Sequence, residues 1–246
     1  MMILIRCFSK HNTTLHLRHI QQIKEGRNHE HKGGNEMVTE PVKVHYFYDP
    51  MCGWCFGATP LIEALAESEK VEIRFHPGGM IQRQTIPRQF KDHILKSDQS
   101  IATVTGALFG AAYVNRLNGT DDLVFDSYLP TRAILVAEEM GAGPLTMLKA
   151  IQSAHFQQGK HVEQPETLAE IATSIGLDKI SWSENMKHAE SRAVEAIQQS
   201  QKLMGQYQVQ GFPTLIAETS NGLQRLEHTS YYKNVPGWKN LLSTLS

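Results

Sequence analysis

The chain has 246 residues, 41% of them hydrophobic, and a formal net charge of −1, enough apolar content for a packed core in one large domain or two modest ones. A near-neutral balance with no basic patch argues against nucleic acid or an anionic membrane as a main partner. Three cysteines, Cys7, Cys52 and Cys55, are too few for a disulfide-stapled secreted scaffold, so any disulfide here is expected to be working chemistry.

Residues 1–36 stand apart, with six Lys/Arg against three acids and five of the twelve histidines. They read as a disordered or non-native N-terminal extension, and Met37, just ahead of the first strand-like run, reads as the natural start. His29 and His31 form a His-x-His, but without a neighbouring Cys or Asp they make a poor metal site. The apolar stretch "MMILI" is shorter than a secretory h-region, and no run reaches the roughly 18 to 20 residues of a membrane span. A soluble, cytoplasmic protein is expected.

From Val42 to Tyr48 the sequence "VKVHYFY" is β-branched and aromatic and predicts a strand. The two cysteines follow in "DPMCGWCF", and then Leu61, Ile62 and Leu65 recur at helical spacing, which puts Cys52 at or just before a helix N-terminus. "VEIRFHP" (Val71 to Pro77) predicts a second strand, completing a β-α-β unit with parallel strands. Residues 81–206 read as helix, in segments such as "TRAILVAEEM", "PLTMLKAIQSAHF", "PETLAEIATSIG" and "SWSENMKHAESRAVEAIQQSQKLM". Starts are expected at Asp126 or Ser127 and at Pro165. His155 and His161 are expected near helix ends, as surface or capping residues, and Met140, Met147, Met186 and Met204 as gap-filling core. "PTLIAE" (Pro213 to Glu218), the Asn221-Gly222 turn and "LQRLEH" (Leu223 to His228) predict a hairpin, and a helix over 235–245 ends the chain.

A Cys-x-x-Cys at the mouth of a strand leaves three readings open: a disulfide exchanged with other molecules, half a metal site, or an inert pair. Thiolates attack disulfides and thiols do not, so the attacking sulfur must be made acidic. The unpaired N–H groups and dipole of a helix N-terminus favour that charge at Cys52, whereas Cys55 lies about one turn further in. Gly53 and Trp54 between them carry no cation, so the backbone must provide most of the effect.

The order β-α-β, helical block, β-β-α, with "CGWC" at Cys52 to Cys55, Pro60 eight residues after Cys52, and "GFPT" at Gly211 to Thr214, resembles the DsbA family of thiol-disulfide oxidoreductases, and within it the FrnE-like branch, from about Val42 to the C-terminus. The resemblance implies an α/β, thioredoxin-like fold with an inserted all-helical domain: a first half over 42–80, the insertion over 81–206 and a second half over 207–246. It implies Cys52, Cys55 and Pro213 as the catalytic set, with Phe212–Pro213 as a cis-proline loop facing the sulfurs, and Gly53, Trp54, Phe212 and Thr214 as substrate-binding residues. Pro60 is expected to bend the active-site helix. In one respect the chain departs from the family: the acid buried beneath the redox pair is Tyr46 here, which leaves His45 and Asp49 as the nearby groups for proton transfer from Cys55.

Three functions compete. The first is a dithiol oxidoreductase or disulfide isomerase acting through a mixed disulfide on Cys52, with protein or peptide thiols and disulfides, and glutathione among the small ones, as partners and no cofactor. The second is a metal-binding module using both cysteines, which would need another chain to complete four ligands. The third is a glutathione-dependent isomerase or transferase of kappa-type architecture, disfavoured because those enzymes carry serine where Cys52 stands. In a reducing cytosol a reductase or isomerase is favoured over an oxidase.

Overall fold

The computed structural model describes residues 40–245, so the expectations for residues 1–36, for Met37, and for Cys7, His29 and His31 lie outside the described residues. In chain order the elements are β1 (Val42–Tyr48), α1 (Gly53–Gly57), α2 (Thr59–Ala66), β2 (Val71–Pro77), β3 (Gln84–Ile86), α3 (Arg88–Thr105), α4 (Ala111–Asn118), β4 (Leu123–Phe125), α5 (Tyr128–Glu139) and α6 (Pro144–Gln152). A π-helical turn, Ser153–Gln157, then α7 (Pro165–Ser174), α8 (Lys179–His188) and α9 (Glu190–Gln206) complete the insertion. β5 (Thr214–Thr219), β6 (Gly222–Arg225), a short 3-10 turn (His228–Tyr231) and α10 (Val235–Ser243) end the chain.

β1 is the inner strand that sets the site. It pairs in parallel with β2 (Val44 opposite Ile73) and antiparallel with β5 (Tyr46 opposite Leu215), in a sheet ordered β2-β1-β5-β6. With strands on both sides and elements on both faces, β1 is buried from Val44 to Tyr48, which is why its sequence is a nearly continuous apolar run rather than an alternation. Alternation still decides direction: Val44, Tyr46 and Tyr48 enter the main core with both cysteines, while Phe47 packs with Ile216 and Val209 in a smaller cluster on the other face.

The block over 81–206 is not wholly helical. β3 and β4 pair antiparallel, Gln84 opposite Phe125 and Ile86 opposite Leu123, as a ribbon within it. Strands of three residues are too short for a period of two to register, and their partners are separated by two helices. The expected long helix after Ser181 is divided at Ala189, which is fully buried with φ −97° and ψ 3°. Alanine favours helix, so packing overrides propensity at that point. The hairpin forms at Thr219–Gly222 as expected, with β6 ending at Arg225 rather than His228.

Candidate active site

The turn after β1 is held by one carboxylate. Asp49 is fully buried, and its Oδ1 accepts from the Met51 N–H (2.9 Å) and the Ser127 hydroxyl (2.8 Å), while Oδ2 accepts from the Met80 N–H (2.6 Å). The Cys52 N–H donates to the Asp49 carbonyl at 3.1 Å. These bonds fix Cys52 in extended backbone, φ −85° and ψ 117°, as the residue that caps α1, and its carbonyl accepts the Phe56 N–H at 3.1 Å. Cys55 follows within α1 and is completely enclosed, whereas Cys52 keeps 7% of its surface exposed.

The helix is divided ahead of Pro60, at Ala58, and Pro60 lies in the first turn of α2. There its missing N–H costs nothing, because a first-turn N–H has no helical acceptor. The bend frees the short α1 to present both sulfurs while α2 packs beneath against α10, whose Trp238 indole donates to the Leu61 carbonyl at 2.9 Å.

Across from the sulfurs lies the Gly211–Thr214 loop. The Cys52 thiol donates to the Phe212 carbonyl at 3.6 Å, and the Phe212–Pro213 peptide is cis. Thr214 is buried and its hydroxyl turns back to the Gly211 carbonyl (2.8 Å), so it shapes the loop from within. The Phe212 ring lies so close to Gly78 that a Cβ there would come within 1.9 Å of it. Half-buried Trp54 stacks on Tyr232, with centroids 6.2 Å apart, and Gly53 faces α3. The expected site residues therefore converge from two separate parts of the chain.

Burial, then donation of its S–H to Cys52 and the charge there, pushes the Cys55 thiol well above the ordinary thiol range. Two groups stand beside it. The Tyr46 hydroxyl lies in hydrogen-bonding range of Cys55 and is driven well above the usual phenol value, first by burial and then by the two sulfurs. Asp49 is pushed up to about 6 by burial, which outweighs the bonds it accepts. His45 faces away: its Nδ1 pairs with His76 Nε2 and its Nε2 with Glu218 Oε1, both at 2.8 Å, on the opposite side of the sheet.

His155 corrects another expectation. It lies in the π-helical turn with 1% of its surface exposed, ringed by Tyr113, Phe125 and Phe156, and burial drives it down to about 3. Its helix-end position was readable, but the depth of that end was not. His161 is exposed and pairs with Glu163 at 2.6 Å. The residues that sequence reasoning did not flag, Asp98, Tyr113, Gly78 and Tyr232, come from segments with no motif of their own. Among the described residues, no group of three or more His, Cys, Asp or Glu side chains is placed to hold a metal ion, and no helix is long and apolar enough to cross a membrane.

Comparison with known proteins agrees with this geometry. The cytosolic disulfide reductase DsbM from Pseudomonas aeruginosa is 33% identical and superposes with a TM-score of 0.76, covering 82% of this chain and 97% of that one. The structure of DsbM with GSH gives 33% identity and 0.75, covering 82% and 98%. The ClpXP adapter protein SpxH of Bacillus subtilis (strain 168) is 27% identical over 184 residues, 72% of this chain, and the chain spans only 58% of that relative's length. A family described as the DSBA-like thioredoxin domain matches residues 43–232, and the chain belongs to this DsbA family of thiol-disulfide oxidoreductases.

Proposed function

We propose that the protein is a cytoplasmic disulfide reductase that works through a mixed disulfide on Cys52. The observation that carries this reading is the asymmetry of the pair: two cysteines one turn apart, of which only Cys52 is open and faces the Phe212 carbonyl, while Cys55 is sealed beneath it. The Cys52 thiolate attacks one sulfur of a disulfide; the S–S bond breaks, and the departing thiolate takes up a proton. Cys55 then loses its proton and attacks Cys52, releasing the second thiol and leaving a Cys52–Cys55 disulfide. The substrate has gained two electrons, and a thiol reductant must return the enzyme to its dithiol.

Asp49 is assigned as the acceptor of the Cys55 proton, with Tyr46 holding the sulfur in place. A carboxyl that titrates at about 6 can take and return a proton near neutrality. It fills the role of the acid that the family places at the Tyr46 position. Phe212 and Pro213 line the face where the substrate strand docks, and Trp54 on its Tyr232 support borders the entry. The reductive direction and small thiol partners are supported by the likeness to DsbM, named a cytosolic disulfide reductase and solved with GSH.

Incubation of single variants with glutathione disulfide tests the scheme by mass spectrometry. With Cys7 replaced by Ser in every protein, Cys55→Ser should accumulate one glutathionyl adduct on Cys52, Cys52→Ser should take none, and the parent should form glutathione without retaining an adduct. Equal labelling of the two variants, or stoichiometric metal bound in place of any exchange, would overturn the reading.

A further inference from the structure

Beside Cys52 the helical block encloses a cavity of about 240 Å³, lined by Cys52, Gly53, Trp54, Met80, Phe90 and Asp98 among others. Most of its wall is apolar, and neither Lys nor Arg contributes to it. The polar side chains on it are His93, Ser97, Tyr113 and Asp98, and Asp98, on α3, is the one carboxylate, with 7% of its surface exposed. Its Oδ2 accepts the Tyr113 hydroxyl at 2.8 Å, and among the described residues no hydrogen bond reaches Oδ1. That free oxygen lies against the backbone between the cysteines, where a Cβ on Gly53 would come within 2.8 Å of it.

Oδ1 therefore opens on the cavity as a carboxylate oxygen with no protein partner, in a mostly apolar setting that favours pairing of a charge. Here the missing partner has room to arrive from outside, next to the attacking sulfur. In an apolar pocket an opposite charge at contact distance is attracted far more strongly than in water, and an ammonium would supply both the charge and the donor that Oδ1 lacks. Burial pushes Asp98 up to about 6, so it is ionised at pH 8.

We infer that Asp98 is a specificity-determining residue that receives the ammonium group of the substrate, so that the enzyme favours disulfides of aminothiols with an unblocked amine close to the reacting sulfur. The inference rests on the disulfide-reductase reading and names its substrate class. Tyr113 acts as a positioning residue, fixing the carboxylate through Oδ2 so that Oδ1 faces the cavity.

The test uses the pre-reduced full chain at pH 8 with no added reductant, and follows the second-order formation of the Cys52–Cys55 disulfide by peptide mass, so that Cys7 does not enter the rate. Two disulfides of equal length are compared: cystamine, which carries ammonium groups, and bis(2-hydroxyethyl) disulfide, its neutral counterpart. Free dithiothreitol supplies their intrinsic reactivity ratio. The wild type should favour cystamine at least tenfold beyond that ratio. Asp98→Asn should bring the preference down to the dithiothreitol value, with the rate on the neutral disulfide held within twofold. The wild-type comparison stands even if the variant folds poorly, since no cystamine preference there already overturns the inference. So does a preference that survives in Asp98→Asn, or equal slowing of both disulfides in that variant. If the wild type reacts with neither compound, the reductase reading fails, and this inference fails with it.

Discussion

Gly78 and Gly205 should answer the same substitution in opposite directions. At Gly78 an added Cβ would collide with the Phe212 ring at 1.9 Å, so Gly78→Ala must displace that ring, whose residue's carbonyl faces Cys52. Overpacking of that kind costs about 1 to 3 kcal/mol, and disulfide exchange should slow as Phe212 moves. Gly205 lies in α9 with nothing within 4 Å of an added Cβ. There alanine only removes unfolded-state freedom, and Gly205→Ala should gain about 0.5 to 1 kcal/mol. Urea midpoints of the two variants, with exchange rates for each, check both signs. Gly53 obeys the steric logic too: Asp98 and Ile101 of α3 lie 2.8 Å and 3.0 Å from where its Cβ would be. Thus the room beside the glycine of "CGWC" is set by side chains of a helix more than forty residues further on, which no local reading of the motif could show.

Among the elements, legibility followed the range of the interactions that fix them. β1 and the Asn221-Gly222 hairpin carry their signal in neighbouring residues and could be read there, and the cysteine turn was read from its motif although Met80 and Ser127, far along the chain, hold it. β3 and β4 exist only because they meet each other, and the break at Ala189 exists only because the core claims that residue; neither leaves a local trace. α10 is an intermediate case, with its start written locally and its purpose not. The Asn234 side chain accepts the Gly237 N–H at 3.0 Å and caps the helix, while Trp238 and Leu242 bury its inner face over α2. Asn234→Ala should cost about 1 kcal/mol by thermal melting. Since α10 supports the active-site segment only from beneath, exchange rates at 25 °C should be unchanged. A melting temperature equal to wild type would mean that the cap contributes nothing.

For the whole molecule, two buried carboxylates and two histidines bend the pH profile in opposite senses. Asp49 and Asp98 are raised by burial from 3.8 to about 6. Their contribution is complete below the lower value and is lost as pH rises through the upper one. His155 is lowered by burial to about 3, and His76 to about 4 by burial and then by His45 and Arg74. Those two contribute fully above 6.5 and lose their share as pH falls. Between pH 4 and 6 the two trends oppose each other, with His228, also lowered by burial, on the side of the two histidines. Asp98→Asn removes one acidic trend. The wild type should therefore lose up to about 3 kcal/mol relative to this variant from pH 4 to pH 6, the worth of a gap of roughly two pH units. Urea unfolding at several pH values measures it, and a difference constant with pH would show that Asp98 titrates alike in the folded and unfolded states, its carboxyl not raised by burial.

The stacking of Trp54 on Tyr232 has an optical consequence. The indole is held in the ring of four residues that the two sulfurs close, and it is fixed there by its neighbour. The two other tryptophans, Trp182 and Trp238, are buried in α8 and α10. A disulfide accepts an electron from an excited indole, and a thiol does so far less readily, so oxidation of the pair should dim Trp54 and leave the emission of the other two as a constant background. The protein then carries its own redox dye. Stopped-flow fluorescence would follow each turnover without a label, and Trp54→Phe should abolish the signal while thiol titration still records exchange.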